Sequence, residues 1–288
     1  VAQAAARFGI WFGISSLATH SIEEIAALTD GPKLFQLYVH KDQGLNASMI
    51  ERCQAAGFDA LALTVDTIVS GKRERCLRSG FTTPPRFSAS SLWSYATRPR
   101  WTLDYVFGPN FRLPNLDGHV EEGSGKAVSI QDYFNTMLDT NMDWDTAARI
   151  RQDWGGTFAL KGIMSAGDAR KAVEIGADAI WISNHGGRQL DGSRAPFDQL
   201  TEIVEAVDGE IEIILDGGVR RGTHILKSLA AGATAASGGR LYLYALAAAG
   251  QDGVERAVQI LKEEIERGMR LMGVTSIDQL APDRLRRR

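Results

Sequence analysis

Short runs of apolar and β-branched residues alternate with helical patterns along most of the chain. The runs lie at 11–15, 34–39, 60–65, 157–161, 179–182, 212–215 and 234–237 and read as strands. Helical periodicity covers 22–28 after Ser21, then 48–56, 167–175, 196–207, 222–231 and 253–272. Several of these helices end in Ala-Gly or Ile-Gly just before the next strand, as at Ala56-Gly57, Ile175-Gly176 and Ala231-Gly232. A glycine there accepts the left-handed turn that ends a helix. The alternation predicts parallel βα units.

Two architectures accommodate such units, an open doubly wound sheet and a closed barrel. Polar residues sit at the C-terminal end of strand after strand, where a closed barrel assembles its site. The expectation is therefore an α/β fold, a TIM (β/α)8 barrel. Seven strands are one short of eight, and helix-like sequence begins at once at Val1 without an initiator Met. The first βα unit is thus expected upstream of this sequence. The rhythm breaks at 70–145, after the barrel's fourth strand by this count. That stretch holds Thr82-Thr83-Pro84-Pro85, a piece rich in aromatics and arginines (Trp93, Tyr95, Arg98, Arg100, Trp101, Tyr105) and a Gly/Glu-rich run at 121–125. We read residues 1–288 as one domain with 70–145 as an insertion or lid, a membrane-surface patch being the alternative.

Composition narrows the function classes. Hydrophobic residues make up 44% and charged residues 23% of the 288, which suits a globular protein with a full core. A formal net charge of -3 gives no general attraction for polyanions, so nucleic acid is not an expected partner. Cys53 and Cys76 are too few for a disulfide framework and have no metal-site spacing, so no metal is expected. No apolar run of membrane-spanning length and no signal peptide is visible, and a cytoplasmic location follows.

The strand ends carry the chemistry. Lys161 closes an apolar strand, where a lone ammonium is expensive to bury, so it points at an anion or an electron-rich group, or else reaches solvent at the rim. The next strand runs into Ser183-Asn184-His185-Gly186-Gly187-Arg188-Gln189-Leu190-Asp191. His185 is a proton acceptor near neutral pH, Arg188 offers a planar fork for a carboxylate, and the two glycines allow close approach of a ligand. Asp216 follows on the next strand and is the carboxylate expected to hold the His185 ring, the alternative being a turn cap. Gly217, Gly218 and Arg220, then Gly239 and Arg240, form two glycine-rich loops in the last two barrel positions, a phosphate-binding arrangement. Gln36 and Tyr38 share a face in Phe35-Gln36-Leu37-Tyr38. Gln36 and Thr64, the latter in Thr64-Val65-Asp66-Thr67, suit a polar heterocycle, and Tyr38 a hydroxyl. Arg73 is a second carboxylate clamp or part of a solvated charge run.

In order, Ser15-Ser16, 35–38, 63–67, Arg73, 160–163, 183–191, 216–222 and Gly239-Arg240 resemble the FMN-dependent L-2-hydroxy acid oxidising family. Arg98-Pro99-Arg100-Trp101 and Met272-Gly273-Val274-Thr275-Ser276 are similar to its bacterial L-lactate and mandelate dehydrogenase branch. The resemblance implies FMN as cofactor and oxidation of an L-2-hydroxy acid to the 2-oxo acid. It implies His185 as base with Asp216 as partner, Arg188 and Arg73 on the substrate carboxylate, and Tyr38 on its hydroxyl. Ser15, Gln36, Thr64, Lys161, Ser183, Asp216, Gly217 and Gly218 then line the flavin, and Arg220, Gly239 and Arg240 its phosphate. Electrons pass to a quinone, a cytochrome or oxygen. A homo-oligomer, a tetramer in the family, and peripheral attachment to the inner membrane are also implied. A peroxide-forming oxidase is the alternative enzyme, and a flavin-binding relic the alternative from another class. Leu17 stands where plant glycolate oxidases carry Trp, which implies a roomier substrate pocket.

Overall fold

The computed structural model describes residues 1–79, 88–108, 112–116 and 136–286. The Thr82–Pro85 motif and the run at 121–125 lie outside these residues. Among the described residues seven strands, β1 (Phe12–Ser15), β2 (Lys33–Leu37), β3 (Ala60–Thr64), β4 (Thr157–Ile163), β5 (Ala179–Ile182), β6 (Glu212–Leu215) and β7 (Ala235–Ala236), form one sheet. They pair in the order β1-β2-β3-β4-β5-β6-β7, and every pairing is parallel. A doubly wound sheet needs a reversal of strand order, and this sheet has none. The architecture is the curled, singly wound one of a TIM barrel, with β1 and β7 as its two edges.

The helices are α1 (Ala2–Arg7), α2 (Ile22–Leu28), α3 (Gln43–Ala55), α4 (Glu74–Ser79), α5 (Ala89–Ala96), α6 (Pro99–Phe107), α7 (Trp144–Trp154), α8 (Ala166–Glu174), α9 (Pro196–Val207), α10 (Gly222–Ala230) and α11 (Arg240–Met272). Ser21 opens α2 with a full capping box, and Pro196 sits in the first turn of α9, so both begin where the sequence predicts. Two helices start several residues earlier than their patterns suggest. α3 begins at Gln43 because Asp42 accepts the Leu45 N–H, and α11 begins at Arg240 and carries a kink at Ala249 and Gly250. α7 was not expected. Asp143 caps it by accepting the Thr146 N–H, and Gly155 closes it in the left-handed region.

The two faces of the sheet differ. Phe35, Leu37, Leu61, Leu63, Phe158, Leu160 and Ile180 point outward under the helices and are fully buried. Each such side chain contributes about 1.5–3 kcal/mol by leaving water. The inward face is built of small residues, Ala60, Ala62, Ala159 and Ala179, with Leu34, Trp181 and Ile214. A floor of alanines leaves room above it. At the C-terminal strand ends the inward positions turn polar, at Ser15, Gln36, Thr64, Lys161, Ser183 and Asp216.

Between β3 and β4, α5 and α6 present a different surface. Leu92, Trp93, Leu103, Val106 and Phe107 are exposed, and the Tyr95, Trp101 and Tyr105 rings stack in a row. No helix among the described residues is long and apolar enough to cross a membrane.

Candidate active site

The polar ring follows from strand register. Ser15 pairs with Gln36, Thr64 with Lys161, and Lys161 with Trp181, so alternation sends these side chains to the inner face. Gln36 Nε2 donates to Thr64 Oγ1 at 2.8 Å, and Lys161 Nζ lies 3.5 Å from Ser183 Oγ in a buried setting. The Ser15 hydroxyl accepts the Leu17 N–H, and the buried Ser16 hydroxyl accepts that of Tyr38, which fixes β1 against β2 at the mouth.

Above this ring sits His185, at φ 56, followed by Gly186 at 67 and Gly187 at 72. Three consecutive left-handed residues turn the chain sharply, and a histidine held there costs strain that the surroundings must offset. They do so locally. Ser183 Oγ accepts the His185 N–H at 3.1 Å, and Asn184 Oδ1 accepts the Gly187 N–H at 3.0 Å. The loop aims the ring across the mouth toward β2 and β3.

The carboxylate that meets the ring is Asp66 and not Asp216. His185 Nδ1 lies 3.1 Å from Asp66 Oδ1 and 3.3 Å from Oδ2, with side-chain exposures of 21% and 11%. Thr67 donates its hydroxyl to Asp66 at 2.9 Å. A register shift between Lys161 and Ile163 makes room for the acid. Gly162 there has φ 111, and a Cβ on it would come within 2.7 Å of Asp66 Cβ. Burial raises the Asp66 pKa, but the His185 hydrogen bond, Lys161 and Thr67 outweigh it, and the net value falls below that of an ordinary aspartate. Asp66 therefore stays ionised beside the ring. The sequence held a signal for it. An acid two residues past Thr64, at the end of a wholly buried strand, invites the same question that singled out Lys161.

Asp216 has a different environment. Its Oδ1 is buried without a partner, and burial raises its pKa against the opposing pull of Lys161 and Ser183. With Asp66 at Nδ1, the other ring nitrogen faces Tyr38. His185 Nε2 lies 3.4 Å from the Tyr38 hydroxyl, whose pKa is pushed up by burial and then by the Asp66 charge.

Two guanidiniums border this group. Arg73 Nε is buried without a partner, and burial followed by repulsion from Arg188 lowers its pKa. Among the described residues neither arginine has a carboxylate partner; Arg188 is exposed and Arg73 half-buried. On the far side Gly217 and Gly218 both take positive φ, and Arg220 is exposed. The N-terminus of α11, with Gly239 at its cap, has no side-chain cap. Arg240 reaches back and donates from Nη2 to the Gly186 carbonyl at 2.7 Å, which ties the last strand end to the His185 loop.

A family model described as FMN-dependent dehydrogenase matches residues 1–287. An L-lactate dehydrogenase of Alcaligenes faecalis is 41% identical over 291 residues, covering 99% of this chain and 75% of the relative. Among solved structures, a monotopic membrane protein, (S)-mandelate dehydrogenase, superposes with a TM-score of 0.91 at 35% identity, over 100% of this chain and 75% of the other. A mandelate oxidase does so at 0.75 and 34% identity, over 96% of this chain and 70% of the other. The chain spans from 66% to 75% of the length of the curated relatives it matches.

Proposed function

The chain belongs to the FMN-dependent dehydrogenase family, and from that premise we propose that it oxidises an L-2-hydroxy acid, with L-lactate as the type, to the 2-oxo acid. The observation that carries this reading is the meeting of the Asp66–His185 pair and the Tyr38 hydroxyl with Arg73 and Arg188, which have no carboxylate partner among the described residues, at one barrel mouth. A substrate with a carboxylate beside a hydroxyl matches that set group for group.

The cofactor fits what the mouth offers. An alanine floor gives space for a flat ring, and Gln36, Thr64 and Lys161 supply donors along its edge. The partnerless Asp216 oxygen is an acceptor awaiting a hydroxyl, and FMN carries a chain of them. Ser15 and Ser183 complete the lining. Gly217, Gly218, Arg220, Gly239 and Arg240 would hold the phosphate at the uncapped start of α11. When bound, FMN supplies the acceptor for the two electrons that leave the substrate.

The chain's own residues do the rest. Arg73 and Arg188 take the carboxylate by charge-assisted hydrogen bonds and so orient the hydroxyl-bearing carbon. Tyr38 bonds the hydroxyl. His185 takes one proton through Nε2, and ionised Asp66 at Nδ1 stabilises the resulting imidazolium. The test is His185→Ala. It should keep its yellow FMN while bleaching by L-lactate or L-mandelate slows by about 10²–10⁴-fold; bleaching at the normal rate would overturn the assignment.

We also propose that α5 and α6 rest on a membrane surface, in keeping with a quinone as electron acceptor. Their exposed Leu92, Trp93, Val106 and Phe107 suit an interface, and a structural relative is named as a monotopic membrane protein. The protein should co-sediment with phosphatidylcholine/phosphatidylglycerol vesicles, and Trp93→Ser with Phe107→Ser should release most of it. No sedimentation with vesicles would refute this.

A further inference from the structure

The motif that supplies His185 and Arg188 contains a third polar side chain with no chemistry assigned above, Gln189. Its amide Nε2 donates to two carbonyls, Asp66 O and Val69 O, each at 3.1 Å. Both acceptors lie in the loop that leaves β3. Donation to two carbonyls also settles which way the amide points. Its Oε1 is buried without a partner.

The same segment presses on the chain that leads to Arg73. A Cβ placed on Gly71 would collide with the Arg188 carbonyl oxygen and come within 2.8 Å of Gln189 Cα and 3.0 Å of Gln189 Oε1. Residue 71 must be a glycine for the two backbones to lie this close. The loop after β3 thus meets the loop after β5 through the Asp66 carboxylate and the Thr67 hydroxyl at the His185 ring, the Asp66 and Val69 carbonyls on Gln189, and Gly71 flush against residues 188–189. Only the contacts at His185 involve groups with chemistry of their own.

We propose that Gln189 is a positioning residue, a strap that sets the separation of Asp66 from His185 and the reach of Arg73 toward Arg188. This rests on the reading of His185, Asp66 and the two arginines given above. Without the strap, the hydrogen bonds between the two loops would all run through the His185 ring, and its pair with Asp66 must change charge state in each turnover.

The test uses the FMN-loaded protein with Gln189→Met, which keeps length and bulk but loses both donors. Flavin reduction by L-lactate and L-mandelate should slow by about 10–100-fold, the scale of a misplacement near 1 Å. Oxalate, an inert carboxylate read by its change in the flavin spectrum, should bind severalfold more weakly, while FMN content and Tm hold. In an Asp66→Asn background the same substitution should cost less than about twofold, because the group it positions is already disabled. Wild-type rates in Gln189→Met alongside slow rates in Gln189→Ala would reduce Gln189 to packing and overturn the proposal. So would a full, multiplicative loss in the Asp66→Asn background. If Gln189→Met fails to load FMN, Gly71→Ala, which wedges the same contact from the other side, is expected to give the same pattern. If the wild-type flavin is not bleached by any 2-hydroxy acid, the functional reading fails, and weaker oxalate binding by Gln189→Met still supports the strap.

Discussion

The two aspartates at the barrel mouth make opposite use of similar burial. Asp66, at the end of β3, gives its oxygens to His185 and Thr67, and its pKa is lowered. Asp216, after β6, has one buried oxygen without a partner, and its pKa is raised. Lys161 pulls on both, so the difference comes from the remaining partners. Around Asp66 the carboxylate finds its partners within the described residues, which suits the proton chemistry proposed for His185. The side around Asp216 holds a buried acceptor oxygen without a protein partner, beside the left-handed Gly217 and Gly218. On the proposed reading, reaction and cofactor retention are divided between separate strand ends, those of β3 and β6.

Removing the Asp66 side should cost most. Asp66→Asn leaves the ring oriented but without a counter-charge, and flavin reduction should fall by about 10²–10⁴-fold with FMN still bound; stopped-flow bleaching reads this. Normal bleaching would erase the contrast between the two acids. The effect at the other acid should be smaller and of another kind. Asp216→Asn should weaken FMN by about 10–100-fold, the scale of a hydrogen bond to a charged group, and barely change the rate of flavin reduction once FMN is saturating.

The pH dependence of stability sharpens the same contrast. Asp66 has a folded pKa below its unfolded value near 3.9. Its stabilisation is present above that pH and is lost as pH falls through the folded value. Asp216 runs the other way. Its favourable contribution exists below the unfolded value and is lost as pH rises through the raised folded value. FMN-free Asp216→Asn should therefore melt slightly above wild type at neutral pH and converge with it in acid. A variant that melts lower at neutral pH would mean that the Asp216 charge is already satisfied.

The barrel was legible because each level of the sequence agreed with the next. β5 and β6 read as strands from their apolar runs, and α9 from its first-turn proline and apolar stripe. α7 escaped because its charges, Asp145, Arg149, Arg151 and Asp153, broke up the apolar pattern at the end of a long excursion. Its Asp143 cap and Gly155 stop were nonetheless in place. In the site, Lys161 and His185 stood out as costly groups at apolar strand ends. The partner of His185 did not. Alternation assigns a face, but which acid reaches a ring depends on loop geometry, here the register shift at Gly162 and the left-handed turn at residues 185–187. Gln189 gave no signal, since a strap between loops has no period and no composition.

Strictly sequential strand order also shapes how the chain folds. Each strand pairs with the one that follows it in the chain, so most of the sheet can zip from local encounters. The exception is the junction of β3 and β4, where Thr64 must find Lys161 across the longest connection in the sheet. Closing a long loop costs only about 0.6 kcal/mol per doubling of its length, so the burden falls on rate more than on stability. The sheet thus divides into two zippers, β1–β3 and β4–β7, joined by one late seam. Asp66 belongs to the first and His185 to the second, so the reactive pair exists only in molecules whose seam has closed.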